Sequence, residues 1–409
     1  VGAWTLVSRI LGFVRDVMIA AFLGTGPVAE AFLIAFALPN MFRRFFAEGA
    51  FNMAFVPLFS KKLQAGDDAE DFARDAFTAL TTVLIVLTAL ATLFMPWLVI
   101  AMASGFLGDL RFEMTVTLGR VVFPYILFIS LAALVSGVLN ASGRFAAAAS
   151  APVFLNIILI GALLATDTVL SDVSILPADI VGGAQGTALA FGAVLAGIVQ
   201  LPIVWVAARR AGFNLRPKRP RWTPELKRLA IIAAPAALAG GVVQVNLLIG
   251  RQVASFFDGA VAWLSYADRL YQLPLGVVGI AIGIVLLPDL SRKLQADDTA
   301  GGQNALSRAA EMSMALAIPS AVALAIIPVS LVQALFERGA FDADDTAATA
   351  LACAVYGLGL PAFILQKVVQ PLYFAREDTR RPFYYAVFAM VVNAAIAIGL
   401  APFIGFIAA

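Results

Sequence analysis

Histidine is absent from this chain, and its single cysteine, Cys353, stands within an apolar run. The first absence removes the commonest metal ligand and the side chain whose charge ordinarily changes near neutrality. The second leaves no intrachain disulfide and no cysteine metal cluster, so Cys353 reads as a small buried hydrophobe. Charge is also scarce: Asp, Glu, Lys and Arg make up 13% of the 409 residues against 61% hydrophobic ones, and mean hydropathy is +0.92. Soluble domains average about 25% charged and about 45–50% apolar, so this is the composition of a polytopic membrane protein. A net charge of +2, with no Lys/Arg run interleaved with aromatics, gives no case for nucleic acid. No GxxxxGK[ST] loop is present to bind ATP, and no nucleophile–base motif points to an enzyme. No cofactor or metal is called for; DADD (342–345) reads as a solvated turn or helix start before a metal site.

What is present is a series of long apolar segments. Hydrocarbon thickness asks for about 20 residues per helix. Eleven candidate spans meet it, at about 4–24, 28–56, 76–103, 113–140, 149–166, 182–208, 226–257, 260–290, 309–335, 345–374 and 383–408. The first carries Arg and Asp and lacks a small-residue cleavage site, so it is not expected to be a cleavable signal peptide. The chain begins at Val1 and ends within an apolar segment, and both ends read as trimmed. With the amino terminus inside, twenty of the 28 basic residues fall in inner loops and flanks, and only Arg111, Arg120 and Arg338 fall outside. That bias predicts a cytoplasmic amino terminus.

The chain also repeats itself. VPLFSKKLQAGDD (56–68) returns as LPDLSRKLQADD (287–298), and Gly24, Pro39, Pro124, Arg144 and Asn156 return in order as Gly259, Pro274, Pro361, Arg381 and Asn393. The period spans six helices, so both halves insert the same way up, as a parallel repeat. The expected fold is therefore an all-α integral membrane protein with two pseudo-symmetric six-helix lobes. The first lobe covers 1–210, a basic Pro-rich linker covers 211–225, and the second lobe covers 226–409, lacking at least its final helix.

The informative charges lie inside the spans. A central Arg costs about 2.5–3.5 kcal/mol on insertion-derived scales, so such residues belong to a watery cavity or a polar partner. On the first helix Arg9 and Asp16 share a face, with Arg15 about 100° round from Asp16. Snorkelling is the alternative for Arg9, and a purely structural ion pair for Arg15 and Asp16. LPNMFRRFFAEGAF (38–51) sets Arg43, Arg44 and Glu48 at the inner part of the second helix, between Pro39 and Gly49, as an inner entrance or a membrane-edge anchor. Glu30 opens that helix on the outer side, as an outer gate or an acid suited to the helix dipole. In the second half WLSYADRLYQLP (263–274) carries Asp268 and Arg269. Arg251, Lys367, Gln244, Asn246, Gln366 and Gln370 are weaker candidates, which helix packing explains almost as well. A central cavity where Arg269 meets Arg9 and Arg15 suits a diphosphate, because Arg offers a planar fork of donors.

SRILGFVRD (8–16), LPN–RR–FAEGAF–AFVP (38–57), FPYILFISLAALVSGVLN (123–140), YADR (266–269) and RGAF (338–341) closely resemble the MurJ/MviN family of lipid II flippases, within the multidrug/oligosaccharidyl-lipid/polysaccharide exporter superfamily. The resemblance extends over essentially the whole chain. It implies a fourteen-helix inner-membrane transporter, eleven helices of which are present here. Its cationic central cavity moves lipid II, the undecaprenyl-diphosphate-linked muropeptide, by alternating access for peptidoglycan synthesis. It places the family's important arginines on Arg9, Arg15, Arg43 and Arg269, with Arg44 beside them and Asp16 and Glu48 at matching acidic positions. Glu30 stands where the family usually has Asp. Cell-wall synthesis machinery is a further partner that the resemblance suggests. The sodium site described for part of the family has no acidic counterpart in the spans 226–257 and 383–408. Two transport alternatives stay open: a flippase for another undecaprenyl-diphosphate-linked glycan, and an ion-coupled small-molecule exporter. A membrane glycosyltransferase would need an outward catalytic acid, and a scaffold would leave the buried charges without a reason.

Overall fold

In hydrocarbon every backbone N–H and C=O has to be satisfied within its own segment, which a helix achieves and an open strand does not. The computed structural model describes residues 2–44, 52–168, 183–281, 299–375 and 380–409, and among these the regular structure is helical throughout. Two compact units divide the chain, Val1–Asp258 and Gly259–Ala409.

The first unit is built from α1 (Gly2–Leu23), α2 (Pro27–Arg43), α3 (Asn52–Ala65), α4 (Ala69–Leu93), α5 (Met95–Ala103), α6 (Leu110–Val122), α7 (Tyr125–Ala141), α8 (Ala146–Thr168), α9 (Gly183–Arg210) and α10 (Pro224–Ala254). Its core joins Ile19 of α1, Phe32 and Ala35 of α2, Leu118 and Val122 of α6, Leu159 and Leu163 of α8, and Leu189 and Ala193 of α9. Helix pairing in lipid gains little from hydrophobicity itself, so close approach over small residues carries it. Pro124, which cannot donate a backbone hydrogen bond, stands where α6 and α7 meet at a 42° bend.

Helix α10, which the repeat assigns to the second half, packs against α3 and α5 of the first unit. The short 3-10 turn Ser104–Phe106 fastens it there. The amide N–H of Ser104 donates to Gln252 Oε1 and that of Gly105 to Ser255 Oγ, each at 3.0 Å. The division at 210–226 follows the repeat, whereas that at 258 follows packing. The basic linker lies along the unit: Lys218 Nζ reaches Asp71 at 2.8 Å, its N–H donates to Thr78 Oγ1 at 3.0 Å, and Phe213 packs on Phe59.

The second unit comprises α11 (Ala260–Ala281), α12 (Thr299–Ile326), α13 (Pro328–Phe336), α14 (Ala343–Ala375) and α15 (Arg380–Ile404). Tyr266 of α11 packs a tilted ring against Phe336 and edge-to-face against Phe341 in its interior. DADD is a helix start: Asp342 Oδ1 accepts from the N–H groups of Asp344 and Asp345, and Asp345 accepts from Trp263 Nε1 at 3.0 Å. The repeat shows in one backbone detail. Gly24, between α1 and α2, and its mate Gly259, between α10 and α11, both have positive φ, 61° and 81°, a conformation that favours glycine.

Six described helices are long and apolar enough to cross a membrane, or seven if the bent pair α6–α7 is one span. Eleven spans were expected. Helix α1 has the length, but each of its 18-residue windows contains Arg9, Arg15 and Asp16. The expected spans 28–56 and 260–290 run into residues 45–51 and 282–298, which lie outside the described residues.

A Cβ on Gly105 would come within 2.5 Å of the backbone of Ser255 and Phe256. Neither backbone can yield without parting α10 from α5. Gly105→Ala is therefore expected to destabilise the protein by about 1–3 kcal/mol, seen as a lower melting temperature in detergent. An unchanged melting temperature would show that α10 does not need this approach.

Candidate functional site

Two clusters of buried charge stand out in the first unit. The first is on α1, where Arg15 and Asp16 are 8% and 7% exposed. Neighbouring residues on a helix point about 100° apart, yet the guanidinium bends back. Nε and Nη2 of Arg15 both donate to Asp16 Oδ1, at 2.9 and 2.7 Å. Its Nη1 donates to Asn156 Oδ1 of α8 at 2.9 Å, and Asn156 Nδ2 in turn donates to the Ser8 carbonyl at 2.9 Å. Asn156 thus fixes the fork and spans α1 and α8. The result is a locally neutral pair, with the cation's outward edge oriented by an amide. Such a pair is stable in low dielectric only while both partners remain. An incoming anion with better geometry can displace the carboxylate from the arginine.

The other expected residues are distributed as follows. Arg9 is exposed on α1. Arg43 ends α2 half-buried, its Nε donating to Asn40 Oδ1 at 3.3 Å, and Arg44 follows it, exposed. Glu48 lies outside the described residues, and with it the expected pairing to Arg43 and Arg44. In the second unit Asp268 and Arg269 sit half-buried on α11, where Asp268 accepts from Gln272 Nε2 one turn on. Helix α11 continues through Pro274, as α2 does through its mate Pro39.

The second cluster surrounds Glu30, which is 1% exposed in the first turn of α2. Its partner is Arg111, at 2.9 Å, in the first turn of α6. Arg111 also pairs with Asp109 and, at 2.7 Å, with Asp258 of the turn that follows α10; its guanidinium lies 4.6 Å from the Phe106 ring. One buried cation therefore ties α2, α6 and the end of α10 together. Burial pushes the Asp109 carboxyl up, but hydrogen bonds from the Arg111 guanidinium and backbone N–H outweigh it and hold the group below its usual range. The pairing thus contributes stability above the ordinary carboxylate range, and this is lost as pH falls through the lowered folded value.

Sequence reasoning missed Arg111 and Asn156 as site residues. Arg111 had a signal: it is one of three basic residues that break the positive-inside pattern. Asn156 had only its repeat mate, Asn393.

Residues 19–408 match the family described as lipid II flippase MurJ. The probable lipid II flippase MurJ of Rhizobium meliloti (strain 1021) is 49% identical, over 98% of this chain and 74% of its own length. That of Rhizobium tropici is 46% identical over the same shares. The lipid II flippase MurJ of Burkholderia cenocepacia is 38% identical over 96% of this chain and 75% of its own. Among solved structures, a lipid II flippase MurJ in an inward closed conformation superposes with TM-score 0.83 at 24% identity, covering all of this chain and 82% of that one. An inward-facing multidrug MATE-family transporter reaches 0.76 at 14% identity, over 98% and 89%. At these identities the structural likeness is one of fold.

Arg111→Gln leaves Glu30 buried without its cation and is expected to cost about 3–5 kcal/mol, read as a lower melting temperature. Glu30→Gln together with Arg111→Gln should recover part of that loss, because the carboxylates that remain, Asp109 and Asp258, are open to solvent and the buried one is gone. A double variant as unstable as the sum of both singles would show that the two side chains act independently.

Proposed function

This chain belongs to the lipid II flippase MurJ family, and we propose that it carries lipid II from the inner to the outer leaflet of the bacterial cytoplasmic membrane by alternating access. The observation that carries the proposal is the oriented, neutralised Arg15–Asp16–Asn156 cluster between α1 and α8. It stores a cation in the membrane in a form that an anion can claim. Lipid II presents a diphosphate, and charge-assisted bonds from arginine to its oxygens contribute about 1.5–3 kcal/mol each. Arg9, and Arg269 of the second unit, would be further cationic contacts for the cargo, with Asp16 and Asp268 as the carboxylates that arginines leave and rejoin during the cycle. Arg43, Arg44 and Glu48 would form the inner entrance and Glu30, through Arg111, the outer gate.

The finer architecture belongs to the same proposal. Two six-helix lobes related by a parallel repeat, a fourteen-helix plan and a cytoplasmic amino terminus rest on the duplication, the family and the basic-residue bias. An exporter of cationic drugs would call for embedded acids without excess arginine, the reverse of what α1 carries. Energy would come from the membrane potential, an ion gradient or cargo supply. Peptidoglycan-synthesis proteins are the natural acceptors of the flipped product.

The test is lipid II accessibility on the outer face of cells depleted of their own flippase. Arg15→Ala and Arg269→Ala should each reduce exposure by at least about tenfold, as loss of one charge-assisted bond implies, at normal protein levels. Unchanged exposure in both would make the arginines structural. Failure of the wild type to restore exposure would turn the assignment to another polyprenyl-linked glycan.

A further inference from the structure

The first unit holds an open-mouthed cavity of about 400 Å³ whose lining includes none of Arg15, Asp16 or Asn156. Thr5, Arg43, Asn52, Ser136, Asn140 and Gln200 bring polar groups to its wall, with alanines and Ile129 between them. Gln200 is 0% exposed, and among the described residues neither its Oε1 nor its Nε2 has a hydrogen-bond partner; Asn52 Oδ1 is likewise unsatisfied among them. Its neighbours inward along α9 are Ala193, Ala196 and Val204, all fully buried. An apolar side chain at 200 would suit that surface better, because buried polar groups are almost always paired. An amide kept in such a place, at the wall of a cavity, points to a ligand that completes it.

We infer that this cavity receives the amide- and carboxylate-bearing part of the cargo headgroup, its peptide, rather than the diphosphate. The inference rests on the flippase reading above. Gln200 presents an acceptor and donors side by side, the complement of a peptide unit. Asn52 adds an acceptor that needs an N–H, and Arg43 brings positive charge for a carboxylate. A diphosphate has only acceptor oxygens, so it would leave Gln200 Oε1 and Asn52 Oδ1 facing like partial charge. The volume sits at the small end of ligand cavities, about 300–1,000 Å³, and so admits part of the headgroup. Asn140 and Phe145, both exposed, form the rim through which the rest would extend.

The test compares binding of lipid II and of undecaprenyl diphosphate to the purified protein. Gln200→Leu should weaken lipid II binding by about five- to tenfold, the effect of losing one or two hydrogen bonds. It should leave undecaprenyl diphosphate binding unchanged. Its melting temperature should equal or exceed that of the wild type, because the substitution removes unsatisfied polar groups. Equal loss for both lipids, or loss for neither, overturns the inference and leaves the cavity to water. The wild type gives the same answer without substitution: lipid II stripped of its peptide should bind about five- to tenfold more weakly than intact lipid II, and equal binding refutes the peptide site. If the wild type binds neither intact lipid II nor undecaprenyl diphosphate, the flippase reading fails first.

Discussion

A guanidinium in hydrocarbon must meet a carboxylate or lose several kcal/mol of hydration uncompensated. The buried arginines described in the first unit, Arg15 and Arg111, both meet one. Much of the unit's arrangement is tied to that requirement. Asn156 reaches from α8 to hold Arg15 and the Ser8 carbonyl together, so two helices are registered by one amide. Arg111 collects Glu30, Asp109 and Asp258, so the starts of α2 and α6 and the end of α10 share a cation. The apolar contacts of Phe32, Leu118, Leu159 and Leu189 then close around helices whose rotation is already set by charge.

The two clusters differ in what they allow. Arg111 is surrounded by more carboxylates than it can neutralise, which suits a junction that stays closed until a larger motion parts its helices. Arg15 has one carboxylate and one neutral amide among its recorded partners, so an anion of higher charge can compete with Asp16 on favourable terms. On the function proposed above, that distinction would separate a latch from a cargo contact. The cavity beside Arg43 and Gln200 adds a third kind of polarity, one with donors and acceptors but little charge.

Periodicity and composition made the helices legible. The sparse charge, the long apolar runs and the duplication led to an all-helical membrane protein, and SRILGFVRD and AEGAF led to the family. Arg15 and Asp16 stood out because charge in a span is expensive wherever it points. Their partners did not. Asn156 lies 141 residues from Arg15, and Arg111 lies 81 from Glu30, and nothing local specifies either pairing. Gln200 carries no signal in the sequence, since its burial depends on how α9 turns against its neighbours. Arg9 shows the converse. Helical geometry put it on the face of Asp16, but near the start of α1 that face is open.

The central claim is that Arg15 does more than neutralise Asp16. Exchanging the two, Arg15→Asp with Asp16→Arg, keeps the ion pair and the net charge but turns the cation about 100° round α1, away from Asn156. The measurement is outer-leaflet lipid II exposure in cells depleted of their own flippase, with the melting temperature of the purified variant alongside. The account predicts a folded protein at normal levels, its melting temperature lowered only by the lost hydrogen bond to Asn156, and exposure reduced to background. Restored exposure in the exchanged variant would contradict it, because the pair would then serve the fold alone.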